Sequence, residues 1–189
     1  NTIAGANTVL GITTNELPVL ATANGTISAT IGTATTGSLT ASGNGNLTLS
    51  GANAFTGTTF VNNVTVTEGA SNALSTGGVT VVGGVFDLSG NTDSVGAVTM
   101  TAGTLQTGAG TLTTTGTVAT VANANLSSKI TGTLTVPAAA TINIAEGLVE
   151  NDAVISAAIT GAGTSLTKAT GTGVVVLSGN NTNAGTMPI

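Results

Sequence analysis

The residues of this chain that could catalyse a reaction or hold a metal ion are seven carboxylates and two lysines. They are Glu16, Glu68, Asp87, Asp93, Glu146, Glu150, Asp152, Lys129 and Lys168. Some β-helix enzymes cleave polysaccharides with carboxylates, a calcium ion and a basic residue, and this set would suit that chemistry. Asp87 and Asp93 are the best-spaced pair, but they flank Ser89-Gly90-Asn91, and Asp is common at such corners because its side chain bonds the backbone. We therefore interpret both as corner residues.

The chain lacks the residues that other kinds of catalytic and metal-binding sites require. The chain has no His and no Cys, which excludes Ser-His-Asp sites, Cys-His sites and the usual zinc ligands. It also has no Arg and no GxxxxGK[ST] phosphate loop. Glu146, Glu150 and Asp152 could form a weak cation site, although a solvated loop explains them better. Residues 83–87 miss the third glycine of the calcium-binding nonapeptide pattern. We expect no catalytic residue, no cofactor and no metal site, and so no enzyme.

The composition of the chain narrows its partners and its fold class. Only 5% of the residues are charged, and the net charge is −5. Nucleic-acid binding requires a basic surface, so nucleic acid is not expected as a partner. No apolar run of about 18 residues occurs, so we expect no membrane-spanning helix. The hydrophobic fraction is nevertheless 40%, and the abundant Val, Ile and Thr suit a half-buried pleated sheet. The composition predicts an all-β fold with no substantial helix.

A short motif recurs along the chain and predicts how the strands are arranged. The motif is apolar-Thr-apolar followed by a glycine turn, and it appears at 64–69, 79–84 and 98–103. Such a segment is a strand with one face for a core and one for water. A chain that lays each strand beside the last is a parallel β-helix, or β-solenoid. At roughly 20 residues a turn it would make about nine short rungs.

The motif also predicts which side chains stack. Val79 and Val81 should face the interior, lying above Val98 and Met100 and below the pair at 64 and 66. The same register aligns Phe86 with Leu105. Gly83-Gly84 and Ser89-Gly90-Asn91 would supply the left-handed backbone angles of tight corners.

A longer repeat runs through the same chain. Residues 27–53 align without gaps to residues 155–181, which lie 128 residues later, and 13 of the 27 positions are identical. Both copies end in Leu-Ser-Gly-x-Asn. Internal repetition of this kind indicates a stacked array. We therefore predict one solenoid domain over residues 1–189, with one repeat of about 128 residues and partial copies at both ends.

Several segments resemble a known repeat family. They are LTLSGANAFTGTT at 47–59, GGVTVVGGVFDLSGN at 77–91, Lys168-Ala169-Thr170-Gly171-Thr172-Gly173 and VVVLSGNN at 174–181. Together they resemble the autotransporter-associated β-strand repeat over most of residues 30–189. The resemblance implies a parallel β-helix of the passenger type, in secreted or cell-surface bacterial proteins. It implies nothing about catalysis.

The ends of such a coil favour self-association. Each end leaves a row of unpaired N–H and C=O groups, which repeat proteins normally cover with capping elements. We find neither a capping helix nor a charge cluster near either end. Residues 155–189 correspond to residues 27–61, the start of the long repeat. We predict that the self-assembly edges include Asn1, Thr2, Ile3, Met187, Pro188 and Ile189.

These observations lead to one expected function and two alternatives. We expect a secreted structural protein that stacks head to tail as a homopolymer, forming an extracellular filament or surface matrix. A start at Asn1 rather than Met fits a chain whose signal peptide has been removed. The first alternative is a stalk or passenger segment of a bacterial surface adhesin. The lesser alternative is a carbohydrate- or ice-binding solenoid, suggested by Thr65/Thr67, Thr99/Thr101 and Thr113/Thr115, and it leaves a surface glycan open as a partner.

Overall fold

A computed structural model of the chain describes residues 2–3, 9–10, 15–32, 36–137, 141–161, 167–168 and 172–182. Within these ranges the chain forms 23 short strands and no helix. Every ladder between these strands is parallel. The predicted all-β fold and the parallel β-solenoid are therefore confirmed.

No described segment forms a helix long and apolar enough to cross a membrane.

Within the described residues the strands stack into walls, and the chain visits them in the order first, second and, in the later turns, third. The first wall has eight strands: β3 (Glu16–Ala21), β6 (Ser38–Gly43), β8 (Thr59–Asn62), β10 (Val79–Val82), β13 (Val98–Thr101), β16 (Val118–Thr120), β19 (Thr141–Ile144) and β22 (Thr167–Lys168). The second wall has nine: β1 (Thr2–Ile3), β4 (Gly25–Ile27), β7 (Asn46–Leu49), β9 (Thr65–Glu68), β11 (Val85–Asp87), β14 (Thr104–Gln106), β17 (Ser128–Thr131), β20 (Ala153–Ile155) and β23 (Val175–Leu177). The third wall has four: β12 (Asp93–Val95), β15 (Leu112–Thr114), β18 (Thr133–Thr135) and β21 (Ala158–Thr160). A separate two-stranded sheet joins β2 (Val9–Leu10) and β5 (Thr30–Ile31).

Alternation of side chains along each strand builds the core. In β10, Val79 and Val81 are buried while Thr80 is half-buried on the outer face. Side chains of a strand point alternately to its two faces, so every second residue enters the interior. Stacked parallel strands repeat this pattern turn after turn, and the buried residues form one continuous aliphatic cluster along the axis.

The register of the walls confirms most of the predicted stacking and corrects one part. Val79 pairs with Val98 and Val81 with Met100, as the motif predicts. Phe86 likewise pairs with Leu105. On the other side of β10, however, the neighbour is β8. The prediction that residues 64 and 66 lie there is wrong, because Val66 belongs to the second wall and pairs with Phe86.

From β3 to β22, the eight described strands of the first wall make about seven turns, whereas about nine short rungs were predicted for the chain. The later turns are longer than the roughly 20 residues a turn that the prediction assumed. The step from Thr59 to Val79 is 20 residues and that from Val79 to Val98 is 19, but the step from Val118 to Ile142 is 24. The extra residues form the loops at 121–127 and 145–152, between the first and second walls. At about 4.8 Å for each added strand, seven turns give a rod of roughly 35 Å.

Left-handed backbone angles occur at the predicted corners. Gly83, between β10 and β11, has φ 64°, and Gly90, between β11 and β12, has φ 85°. Ser89 also adopts φ 52°, which side chains other than glycine rarely do. Its backbone N–H donates to Asp87 Oδ1 at 2.7 Å, and this turn bond holds the corner. The interpretation of Asp87 as a corner residue is thus confirmed.

Candidate functional site

The predicted self-assembly residues lie only partly within the described chain. Thr2 and Ile3 form β1, which is the terminal strand of the second wall in its described part. Asn1, Met187, Pro188 and Ile189 lie outside the described residues. In the described chain, β3 ends the first wall on the N-terminal side and β23 ends the second wall on the C-terminal side.

The N-terminal rim (residues 16–21) presents core-facing side chains that are incompletely covered. Strand β3 ends the described first wall and pairs only with β6 there. Its inward residues Leu17 and Val19 are half-buried, whereas their partners Leu39 and Ala41 are fully buried. A cavity of about 420 Å³ opens beside them and reaches Ile27.

The C-terminal rim (residues 174–182) has the same character. Strand β23 ends the second wall in the described chain, and its inward residues Val175 and Leu177 are only half-buried. Val174 O accepts from Ala153 N at 3.1 Å, and Ser178 N donates to Ile155 O at 3.0 Å, so these groups face β20. Backbone groups alternate sides along a strand, and those of Val175 and Leu177 therefore face away from β20.

The sequence repeat is also a repeat of hydrogen bonds. In the first copy, Ser50 N donates to Ile27 O at 3.0 Å, and in the second Ser178 N donates to Ile155 O at the same distance. Two further bonds recur in the same way. Their first copies are Ile31 N to Asn53 Oδ1 at 2.8 Å and Ala54 N to Ile31 O at 3.1 Å, and their second copies are Ile159 N to Asn181 Oδ1 at 3.0 Å and Thr182 N to Ile159 O at 3.0 Å. The C-terminal rim therefore has the local architecture of an internal turn.

A buried carboxyl group inside the solenoid is the strongest electrostatic feature of the described chain. Glu68 is 1% exposed, and neither of its carboxyl oxygens has a hydrogen-bond partner. It stacks on Leu49, and the same register places it opposite Leu88 of the next turn. Burial raises the pKa of Glu68 to about 9, and the charge of Asp93, the interaction between the two carboxyl side chains and the charge of Asp87 add to the effect, although the contact with Asp93 does not reach ordinary hydrogen-bond geometry. Glu68 is therefore protonated at neutral pH.

Asp87 and Asp93, the best-spaced carboxylate pair, accept hydrogen bonds from backbone N–H groups. Asp93 is buried, and its carboxylate accepts from Leu74 N at 2.8 Å and from Ser94 N at 2.6 Å. Asp87 holds the corner at Ser89. No group of three His, Cys, Asp or Glu residues in the described chain is arranged to hold a metal ion. The geometry joins these acids to backbone N–H groups rather than to one another.

Glu146, Glu150 and Asp152 are not brought together as a cation site. Glu146 and Glu150 are exposed, while Asp152 is buried. The Asp152 carboxylate accepts from Gly147 N at 2.6 Å and from Val174 N at 2.8 Å. Asp152 thus fastens the loop at 145–152 to the C-terminal rim, a role that its position in the sequence did not indicate.

The three threonine pairs lie on three different walls. Thr65/Thr67 belong to the second wall and Thr99/Thr101 to the first, while Thr113 lies in the third, with Thr115 just after it. On the second wall the outer row through Thr48 and Thr67 continues with Asp87. These pairs therefore form no single flat array of hydroxyl groups.

No protein-family model, curated protein or solved structure matches the chain. The resemblance to the autotransporter-associated repeat remains a prediction.

Proposed function

We propose that this chain is a structural protein whose solenoids stack end to end, with a second copy of the chain as its partner. One observation carries the proposal. The half-buried hydrophobic residues that pack against the core are Leu17, Val19, Val175 and Leu177, and they lie at the two rims of the described coil. Each rim would gain apolar burial and backbone hydrogen bonds from another strand. Contacts between opposite ends of identical chains are heterologous and propagate into filaments.

We further propose that the assembly is extracellular, as a filament or surface matrix. This rests on the resemblance of residues 30–189 to the autotransporter-associated repeat. Negative-stain microscopy of the purified chain at increasing concentration should show rods whose length grows in steps of one subunit. Rods of a single constant length, about that of one coil, would instead favour the stalk segment of an adhesin.

A proline at the C-terminal rim tests the stacking directly. Val175→Pro removes a backbone N–H that faces away from β20 and places a ring where another strand would pair. The chain should remain folded, with a melting temperature close to that of the unchanged protein, but sedimentation should show it as a monomer at all concentrations.

The matched control for this variant is Leu47→Pro. Leu47 lies in β7, which has β4 on one side and β9 on the other. The backbone groups of Gly45 and Leu49 accept bonds from the β9 side, so the N–H of Leu47 faces β9 as well. Proline there should lower the free energy of unfolding by about 3 kcal/mol. Unchanged assembly of the Val175→Pro variant would contradict end-to-end stacking at this rim.

A further inference from the structure

The loop between β19 and β20 carries the most exposed large hydrophobic side chain of the described residues. Leu148 is 85% exposed, and Glu146 and Glu150 on either side of it are exposed as well. A hydrophobic side chain stabilises a fold in proportion to the apolar area that it removes from water, and Leu148 removes almost none. Its side chain is therefore available to a partner without any loss of packing in the coil.

The backbone around Leu148 is held weakly. Its N–H donates to Asn123 O at 3.4 Å, which is long for a hydrogen bond between backbone groups. Among the described residues, this is the one hydrogen bond that joins the backbone at 146–150 to another turn of the coil. The N–H of Gly147 donates to the carboxylate of Asp152 at 2.6 Å, within the same loop. The segment can therefore leave the coil at the cost of few contacts.

Other exposed leucines are held more firmly. Leu20 lies in β3, which pairs with β6 along all six of its residues. Leu126 lies in a tight turn, because its N–H and that of Asn125 both donate to Asn123 Oδ1, at 3.0 Å and 2.9 Å. An endopeptidase takes its substrate as an extended segment, so a paired strand or a tight turn must first open. The loop around Leu148 requires the least opening.

We propose that this loop, residues 145–152, is a processing site, cut between Leu148 and Val149 by an endopeptidase with an apolar primary pocket. Such a pocket accepts a large apolar side chain on the residue that precedes the scissile bond. Water supplies a hydroxyl group to the carbonyl carbon of Leu148 and a proton to the nitrogen of Val149. The products are a new carboxylate and a new amino group. This site is independent of the proposed stacking function.

The cut chain should remain one solenoid. Strand β19, before the loop, pairs with β16 on one side and β22 on the other. Strand β20, after the loop, pairs with β17 and β23. Ile144 and Ala153, the wall residues nearest the cut, are both buried in the core. Hydrolysis breaks none of these ladders, so the two pieces stay joined by backbone hydrogen bonds and the shared interior.

Limited digestion of the folded chain with chymotrypsin tests the site, with the fragments identified by mass spectrometry. The first cut should follow Leu148. The two pieces should leave a size-exclusion column together, at the volume of the uncut chain, and should separate in urea. Leu148→Gly should slow this cut about a hundredfold, because the primary pocket loses its side chain. Its melting temperature should stay unchanged, since Leu148 is exposed.

Leu126→Gly is the matched control, because it removes the same side chain from the neighbouring loop, where it is 61% exposed. It should leave the rate of the first cut unchanged. A first cut after Leu20 or Leu126 would overturn the proposal, as would an equal rate of cutting in the Leu148→Gly variant. Resistance of the folded chain under conditions that digest it in urea would overturn it too. Pieces that separate without denaturant would overturn the inference that the cut chain remains one solenoid.

Discussion

Replacing Glu68 by leucine is expected to raise the free energy of unfolding by about 3–5 kcal/mol near pH 8. Glu68 occupies an interior position that Leu49 and Leu88 occupy in the adjacent turns, so leucine fits the stack. No hydrogen bond of ordinary distance and angle compensates the burial of the carboxyl group, although Asp93 lies near enough to raise its pKa, and leucine removes this polar group from the core. Chemical denaturation followed by circular dichroism would measure the gain.

The gain should depend on pH in a defined direction. The pKa of Glu68 is about 9 in the folded chain and 4.5 as its ordinary value. Between these values the folded chain keeps the proton and the unfolded chain releases it, so unfolding is favoured as the pH rises. The contribution of Glu68 to stability is fully present below pH 4.5 and is lost as the pH approaches 9. Each rise of one pH unit in this window lowers the free energy of unfolding by about 1.4 kcal/mol at most.

Glu68→Gln isolates the charge, because it keeps the shape of the side chain but cannot ionise. We expect it to flatten the loss of stability between about pH 5 and pH 9. Glu146→Gln is the matched control, since that side chain is exposed, and it should leave the slope as it is. An unchanged slope in the Glu68→Gln variant would mean that another group releases the proton.

Alternation along the strands made much of the fold predictable, and it also contained the signal for Glu68. Val64, Val66 and Glu68 share one parity in the motif at 64–69, so the pattern that buries the valines buries the glutamate too. By residue type Glu68 resembles the other carboxylates of the chain, and only its parity distinguishes it. A charged residue that continues an apolar parity is the observation that would have found it.

The assignment of strands to walls could not be predicted in the same way. The motifs at 64–69 and 79–84 look alike, yet they lie on the second and first walls. Every wall faces the same aliphatic interior, so each selects the same alternation, and the pattern does not say which wall a strand joins. The 19-residue spacing from Val79 to Val98 succeeded because it is one full turn. The 15-residue spacing from Val64 to Val79 is shorter than a turn, and it therefore led to the wrong stacking partner for β10.

The contacts at the corners could not be predicted from the sequence, for a different reason. Asp93 and Asp152 read as turn or loop residues, but both are buried and accept bonds from the backbone of other segments. Such partners are about 20 residues away, and their identity depends on the exact length of each turn. The 128-residue repeat is the exception, because two copies of equal length preserve the same bonds at Asn53 and Asn181.

Truncating Phe86 tests whether the interior of the solenoid is the main source of its stability. Phe86 is fully buried between Val66 and Leu105. Phe86→Ala should lower the free energy of unfolding by about 3–5 kcal/mol, because it removes apolar contacts and leaves a cavity that stacked strands cannot collapse to fill. Urea denaturation of the isolated chain would measure the loss.

Phe60→Ala is the matched control, since Phe60 lies on the outer face of the first wall between Thr40 and Thr80 and is only half-buried. Its loss should cost about 1 kcal/mol or less, the scale of a cross-strand contact on one face of a sheet. The difference between the two variants isolates the contribution of the interior, because each removes the same side chain from a strand paired on both sides. Equal losses would mean that the outer faces contribute as much as the interior, and the stacked aliphatic core would then not explain the stability of the coil.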